Sequence, residues 1–179
     1  MKNLLKKIVQ RTLRFLLKPV SINYQKRNGI QSSQERKELP NEILLSLASE
    51  ALQRGSEVTI FVKGYSMRPF IEHERDRVRL RRNNTLQVGD AVLAELSPGH
   101  YVLHRIIRLE GERVTLQGDG NVCGTEHCLR SDVCGTVVEY IRPLRTIPAD
   151  DACLVRRIRL WRTLRPIRRY LLFIYRNIV

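Results

Sequence analysis

The segment Val62-Lys63-Gly64-Tyr65-Ser66-Met67-Arg68-Pro69-Phe70 sets a serine hydroxyl directly after a run with strand alternation, between a permissive glycine and a φ-restricted proline. Such a turn exposes the hydroxyl and leaves backbone N–H groups free to face a carbonyl. A serine becomes a nucleophile only with a base in hydrogen-bond reach, so the candidate bases decide the matter. The lysines are Lys2, Lys6, Lys7, Lys18, Lys26, Lys37 and Lys63, and none follows Ser66. Arginine does not deprotonate in proteins, which leaves the four histidines. His73 lies in a charged turn, His100 follows Pro98-Gly99, and His127 sits in a cysteine-flanked loop. His104 alone falls inside a strand-like run, Tyr101-Val102-Leu103-His104-Arg105-Ile106-Ile107, on the face shared by Val102 and Ile106. Taken alone, Ser66 reads as a turn residue and His104 as a core histidine; taken together they can perform acyl transfer, with an imidazole suited to proton transfer at neutral pH.

The elements that must position these two residues follow from hydrophobic period. The chain has 179 residues, enough for one domain with appendages. Residues 1–20 place Leu4, Leu5, Ile8, Val9, Leu13, Leu16 and Leu17 among lysines and arginines, which reads as a basic amphipathic helix. Residues 21–40 are polar and aperiodic, a linker. Asn41 caps a helix carrying Ile43, Leu44, Leu47, Ala48, Ala51 and Leu52, which Gly55 stops. The period then becomes two. Strands are expected over 57–63, 76–81, 91–96, 101–109, 113–116 and 136–141, giving a mainly β domain over residues 41–145. Residues 152–179 form a second basic amphipathic helical tail, kinked at Pro166, with Leu154, Ile158, Trp161, Ile167, Leu171, Ile174 and Ile178 on one stripe.

Charge separates the tails from the middle. The net charge is +14, yet residues 1–30 hold eight basic and no acidic residues, and residues 152–179 hold eight arginines and no acid. The middle carries a small acidic excess. Charge therefore speaks to location rather than chemistry. The C-terminal stripe has two readings, insertion into an anionic membrane surface or packing on the β domain; for residues 1–20 the linker favours the membrane. Nucleic acid is disfavoured as a partner, since no recognition motif accompanies the arginines. No window of about 18 uncharged apolar residues is present, and lysines and arginines interrupt each candidate signal-peptide core, so the expected compartment is the cytoplasm, peripheral on the inner membrane face. Cys123, His127, Cys128 and Cys134 lack a Cys-x-x-Cys knuckle, so no metal or other cofactor is expected, and with Cys153 they read as free thiols.

Five blocks in order now carry a family likeness: Gly64-Tyr65-Ser66-Met67-Arg68-Pro69, Val88-Gly89-Asp90-Ala91-Val92-Leu93, Leu103-His104-Arg105-Ile106-Ile107, Leu116-Gln117-Gly118-Asp119-Gly120-Asn121, and Val133-Cys134-Gly135-Thr136-Val137. The sequence resembles the signal peptidase I and LexA-like serine peptidase superfamily over roughly residues 57–142. The resemblance implies a β-rich peptidase fold with Ser66 as nucleophile. Bacterial signal peptidases and LexA-type repressors use a lysine base, whereas the endoplasmic-reticulum and archaeal type has His-Arg at the block held here by His104-Arg105. The resemblance is therefore to the Ser-His branch. It implies that His104 is the base and that an acid orients it, assigned to Asp119, with Glu126 the runner-up and Asp132 third. The Ser66 backbone N–H is the implied oxyanion donor, the second donor being unassigned because Gly64 stands where a hydroxyl is frequent. Gly64, Met67 and Pro69 shape the turn.

Two departures narrow the implied function. No spanning helix is visible, against secretory processing on the outer face. No Ala-Gly precedes the peptidase blocks and both Cys-Gly pairs follow His104, against self-cleavage. The expectation is a serine endopeptidase removing a leader, propeptide or signal peptide from a peptide or protein substrate. The alternatives are an inactive peptide-binding or basic scaffold module of the same fold, or a nucleic-acid-binding protein.

Overall fold

The computed structural model describes residues 41–176. The expected helix at 1–20 and linker at 21–40 lie outside the described residues. One antiparallel eight-stranded sheet organises the rest: β1 (Val58–Phe61), β2 (Arg77–Arg81), β3 (Ala91–Ser97), β4 (His100–Glu110), β5 (Arg113–Gln117), β6 (Glu126–Leu129), β7 (Val133–Arg142) and β8 (Arg145–Pro148). The strand order is β1-β2-β7-β3-β4-β5-β6, and β8 pairs with β7. Helix α1 (Asn41–Gln53) precedes the sheet; α2 (Ala152–Thr163) and α3 (Arg168–Arg176) follow it, joined by a 3-10 turn at Arg165–Ile167. The fold is mainly β, as the alternation implies.

The strands are coated on both faces, so two cores form. The larger joins Leu52 of α1, Val78 and Leu80 of β2, Leu93 of β3, Tyr140 of β7 and the buried side chains Leu154, Ile158, Trp161, Leu171 and Leu172 of the C-terminal helices. The smaller joins Val92, Ala94, Ile106, Val114, Leu116 and Cys128. The period-two alternation of β3 and β4 assigns successive apolar residues to one core or the other. Consequently Val102 and Ile106 face the smaller core and Leu103 the larger.

The C-terminal tail settles on the protein. Of its apolar stripe, Leu154, Ile158, Trp161 and Leu171 are core, with Trp161 fully buried, whereas Ile167 is exposed and Ile178 lies outside the described residues; Asp151 caps α2 by accepting the Leu154 N–H at 2.8 Å. Pro166 sits in the 3-10 turn, where its missing N–H breaks the two helices apart. Among the described residues no helix is long and apolar enough to cross a membrane.

Candidate active site

The loop after β1 is held at both ends. Val62 donates to the Asp76 carbonyl and accepts from Glu74, and the Gly64 N–H donates to His73 Nδ1 at 2.9 Å. Gly64 has φ +99°, a conformation costly for any residue with a Cβ. Met67 is buried, and its carbonyl accepts from Phe70 and Ile71, pinning the turn to the larger core. Pro69 is buried and follows a cis peptide bond. Ser66 is left partly exposed at the tip.

A second turn, Gly118-Asp119-Gly120-Asn121, lies against that tip. Gly120 N–H donates to the Ser66 carbonyl at 2.7 Å. A Cβ at Gly118 would stand 2.5 Å from the Ser66 carbonyl oxygen, and one at Gly120 2.6 Å from that of Tyr65. Only glycine fits at either place, because the opposing atoms are backbone. Gly118→Ala should therefore cost about 1–3 kcal/mol as the two turns are forced apart, measurable by denaturant unfolding.

Strand register brings the histidine to the same spot. Arg105 pairs with Gln117, so continuing the register sets His104 opposite Gly118, on the face where the Ser66 backbone rests. Glu126 opens β6 opposite Leu116. Its carboxylate reaches over the end of β5, where Gly118 carries no side chain, to His104 Nδ1 at 2.9 Å. A carboxylate only accepts, so the ring proton is on Nδ1 and Nε2 carries the free lone pair. The histidine side chain is 8% exposed and the glutamate 28%.

Asp119, the acid expected to orient His104, is instead the counter-ion of Arg105. Arg105 Nε donates to both Asp119 oxygens at 2.9 and 3.0 Å and Nη2 at 2.5 Å, and both residues are buried. The reason is parity. His104 and Arg105 are consecutive on β4 and point to opposite faces; Asp119, one residue past Gly118, shares the face of Arg105. Burial alone would lower the Arg105 pKa, but Asp119 and then Tyr140 hold it above its ordinary value. Arg105 also donates to the Gly89 carbonyl at 2.8 Å. Asp132 caps its own turn, accepting from Leu129 N–H. The thiols are dispersed: Cys128 lies in the smaller core, where burial pushes it up to about 11, Cys134 lies in the larger, and Cys123 is exposed.

The helices after β8 brace both turns, a contribution the sequence did not reveal. Trp161 Nε1 donates to the Asp119 carbonyl at 2.8 Å, and Arg168 donates to the Asn121 carbonyl at 3.2 Å. Tyr175 donates to Glu72, which also holds Arg68 at 2.9 Å beside the nucleophile turn. Burial and then the Glu72 carboxylate raise the Tyr175 pKa, keeping it a donor.

A serine turn, a histidine from the middle of β4 and an acid bonded to that histidine are thus grouped around the end of β5. The family model described as peptidase S24-like matches residues 19–138. The chain belongs to the peptidase S24-like family. No curated protein matches it. Membership agrees with the β-rich LexA-like fold and makes the chain a serine peptidase-like hydrolase by family. The match ends within β7, so β8 and the bracing helices α2 and α3 lie beyond it.

Proposed function

We propose that this family member is a serine endopeptidase of the Ser-His type, cleaving a leader, propeptide or signal peptide from a peptide or protein substrate. Ser66 Oγ attacks the scissile carbonyl, His104 Nε2 takes its proton, and Glu126 holds the imidazole in the required tautomer and stabilises the imidazolium. The proton then passes to the leaving amine, and water hydrolyses the acyl-enzyme by the same groups. The Ser66 N–H, which has no hydrogen-bond partner among the described residues, is the oxyanion donor; the Gly64 N–H is occupied by His73. The observation that carries this reading is the 2.9 Å bond between His104 Nδ1 and Glu126, made beside the glycine on which the Ser66 carbonyl rests. Arginine fills the place after His104 and no lysine follows Ser66, so a lysine base downstream of the nucleophile has no source.

The test is covalent labelling. A serine-reactive phosphonate should modify Ser66, located by mass spectrometry, and Ser66→Ala and His104→Ala should abolish both labelling and cleavage of candidate leader peptides. Undiminished cleavage in either variant would sink the proposal. We place the enzyme at the cytoplasmic face of the membrane, supported by the basic residues of 1–30 and by exposed Tyr170 beside Arg169. Flotation with anionic vesicles should be lost when residues 1–40 are removed.

A further inference from the structure

On the face of β5 and β6 turned away from His104 and Glu126 lies a cavity of about 690 Å³. Thr125, just before β6, and His127 on it, the two chain neighbours of Glu126, line it from the sheet. Arg159, Arg162, Arg165 and Arg168 line it from the C-terminal helices, and no acidic residue lines it at all. The one other arginine in the wall, Arg108, is neutralised by Glu110 at 2.6 Å. Among the described residues none of the four helix arginines forms an ion pair with a carboxylate.

Arg168 is the decisive member. It is only 3% exposed, its partners are the neutral oxygens of Gln117, Asn121 and Trp161, and its Nε is buried without any partner. A cation withdrawn from water without a counter-ion is costly, and the nearest candidate, Asp119, has its oxygens taken by Arg105. Burial pulls the Arg168 pKa below its ordinary value; the nearby Asp119 carboxylate opposes this, and the proximity of Arg165, Arg105 and Arg162 adds to it. The same side chain holds the Asn121 end of the turn that supports Ser66.

We propose that this cavity binds a phosphoryl group, presented by a soluble phosphate compound or by an anionic lipid headgroup. A carboxylate offers one charge and two acceptor oxygens, too little for four guanidinium groups. A phosphoryl group offers close to two charges and three acceptor oxygens, and guanidinium forks bind it bidentately. The site does not depend on the peptidase reading, since neither Ser66 nor His104 takes part in it.

Pyrophosphate is the first probe, titrated calorimetrically into the full chain at fixed ionic strength. Saturable binding at one site per chain is expected. Arg162→Gln with Arg165→Gln, both lining the cavity and neither fully buried, should weaken it by roughly tenfold or more, the loss expected for charge-assisted hydrogen bonds. Arg82→Gln with Arg156→Gln removes equal charge from exposed positions outside the cavity and should leave binding near that of the unmodified chain. Absence of saturable binding, or equal weakening by both pairs, overturns the proposal. Phosphatidylcholine vesicles containing phosphatidic acid separate the sources. Vesicle binding displaced by pyrophosphate and lost with the cavity pair assigns a lipid headgroup; pyrophosphate binding with vesicle binding unchanged by the cavity pair assigns a soluble phosphate.

Discussion

Glu126→Gln is expected to lower kcat for leader cleavage by about 10³–10⁴-fold while leaving the fold intact, and Asp119→Asn to do the reverse damage. The glutamine keeps the size of the side chain but presents an amide that can donate as well as accept, so the Nδ1-protonated tautomer of His104 is no longer enforced; changes of this kind in serine triads cost about 10⁴-fold. Glu126 is part-exposed and its side chain bonds only His104 among the described residues, so its stability effect should stay near 1 kcal/mol. Asp119 carries the opposite profile. Its removal strands a fully buried Arg105, a loss of about 3–5 kcal/mol when one partner of a buried pair is deleted. In a chain of this length that corresponds to a fall of roughly 6–20 °C in Tm. Thermal melts and steady-state kinetics on the two variants, measured side by side, separate the roles. If Glu126→Gln kept full activity, Glu126 would not be the orienting acid, whatever its distance from His104.

Those two acids also show where reading the sequence stops. The alternation in 101–107 placed His104 with Val102 and Ile106, and β4 shows that arrangement. Assigning its acid requires knowing which face each side chain takes after a Gly-x-Gly turn, and that is fixed by the pairing of Arg105 with Gln117, not by any local pattern. Glu126 was further hidden because β6 is four residues long, alternates as Glu-His-Cys-Leu, and follows a glycine- and cysteine-containing loop. β8 escaped for a related reason: it is four residues ending in Pro148, a composition suited to an edge. The longer strands were legible since each repeats its alternation enough times to outweigh local polarity. The C-terminal stripe was visible but ambiguous. An apolar face with arginines around it has the same period whether it meets lipid or a protein core, and only the tertiary structure shows Leu154, Ile158, Trp161 and Leu171 inside.

That last ambiguity yields the second large effect. A chain stopped after Asp151 is expected not to fold, rather than to become a soluble peptidase freed of a membrane tail. Truncation removes Leu154, Ile158, Trp161, Leu171 and Leu172 from the larger core, each contributing about 1.5–3 kcal/mol by burial, and together they are comparable to the whole of the roughly 5–15 kcal/mol that separates folded from unfolded domains. Size-exclusion chromatography and thermal melting should show an aggregated product without a cooperative transition. A milder substitution isolates the bracing role. Trp161→Phe keeps most of the ring but loses the donor to the Asp119 carbonyl, so about 1–3 kcal/mol of stability should go, the cost of leaving a buried acceptor unpaired. Because that carbonyl belongs to the turn whose next residue, Gly120, holds the Ser66 backbone, the loss should reach the active site as a lower kcat with KM little changed. Were Trp161→Phe to destabilise the protein with kcat untouched, Trp161 would be a core residue only, and the turn beneath Ser66 would owe its position to Gly118, Gly120, the Arg105–Asp119 pair and the Arg168 bond to Asn121.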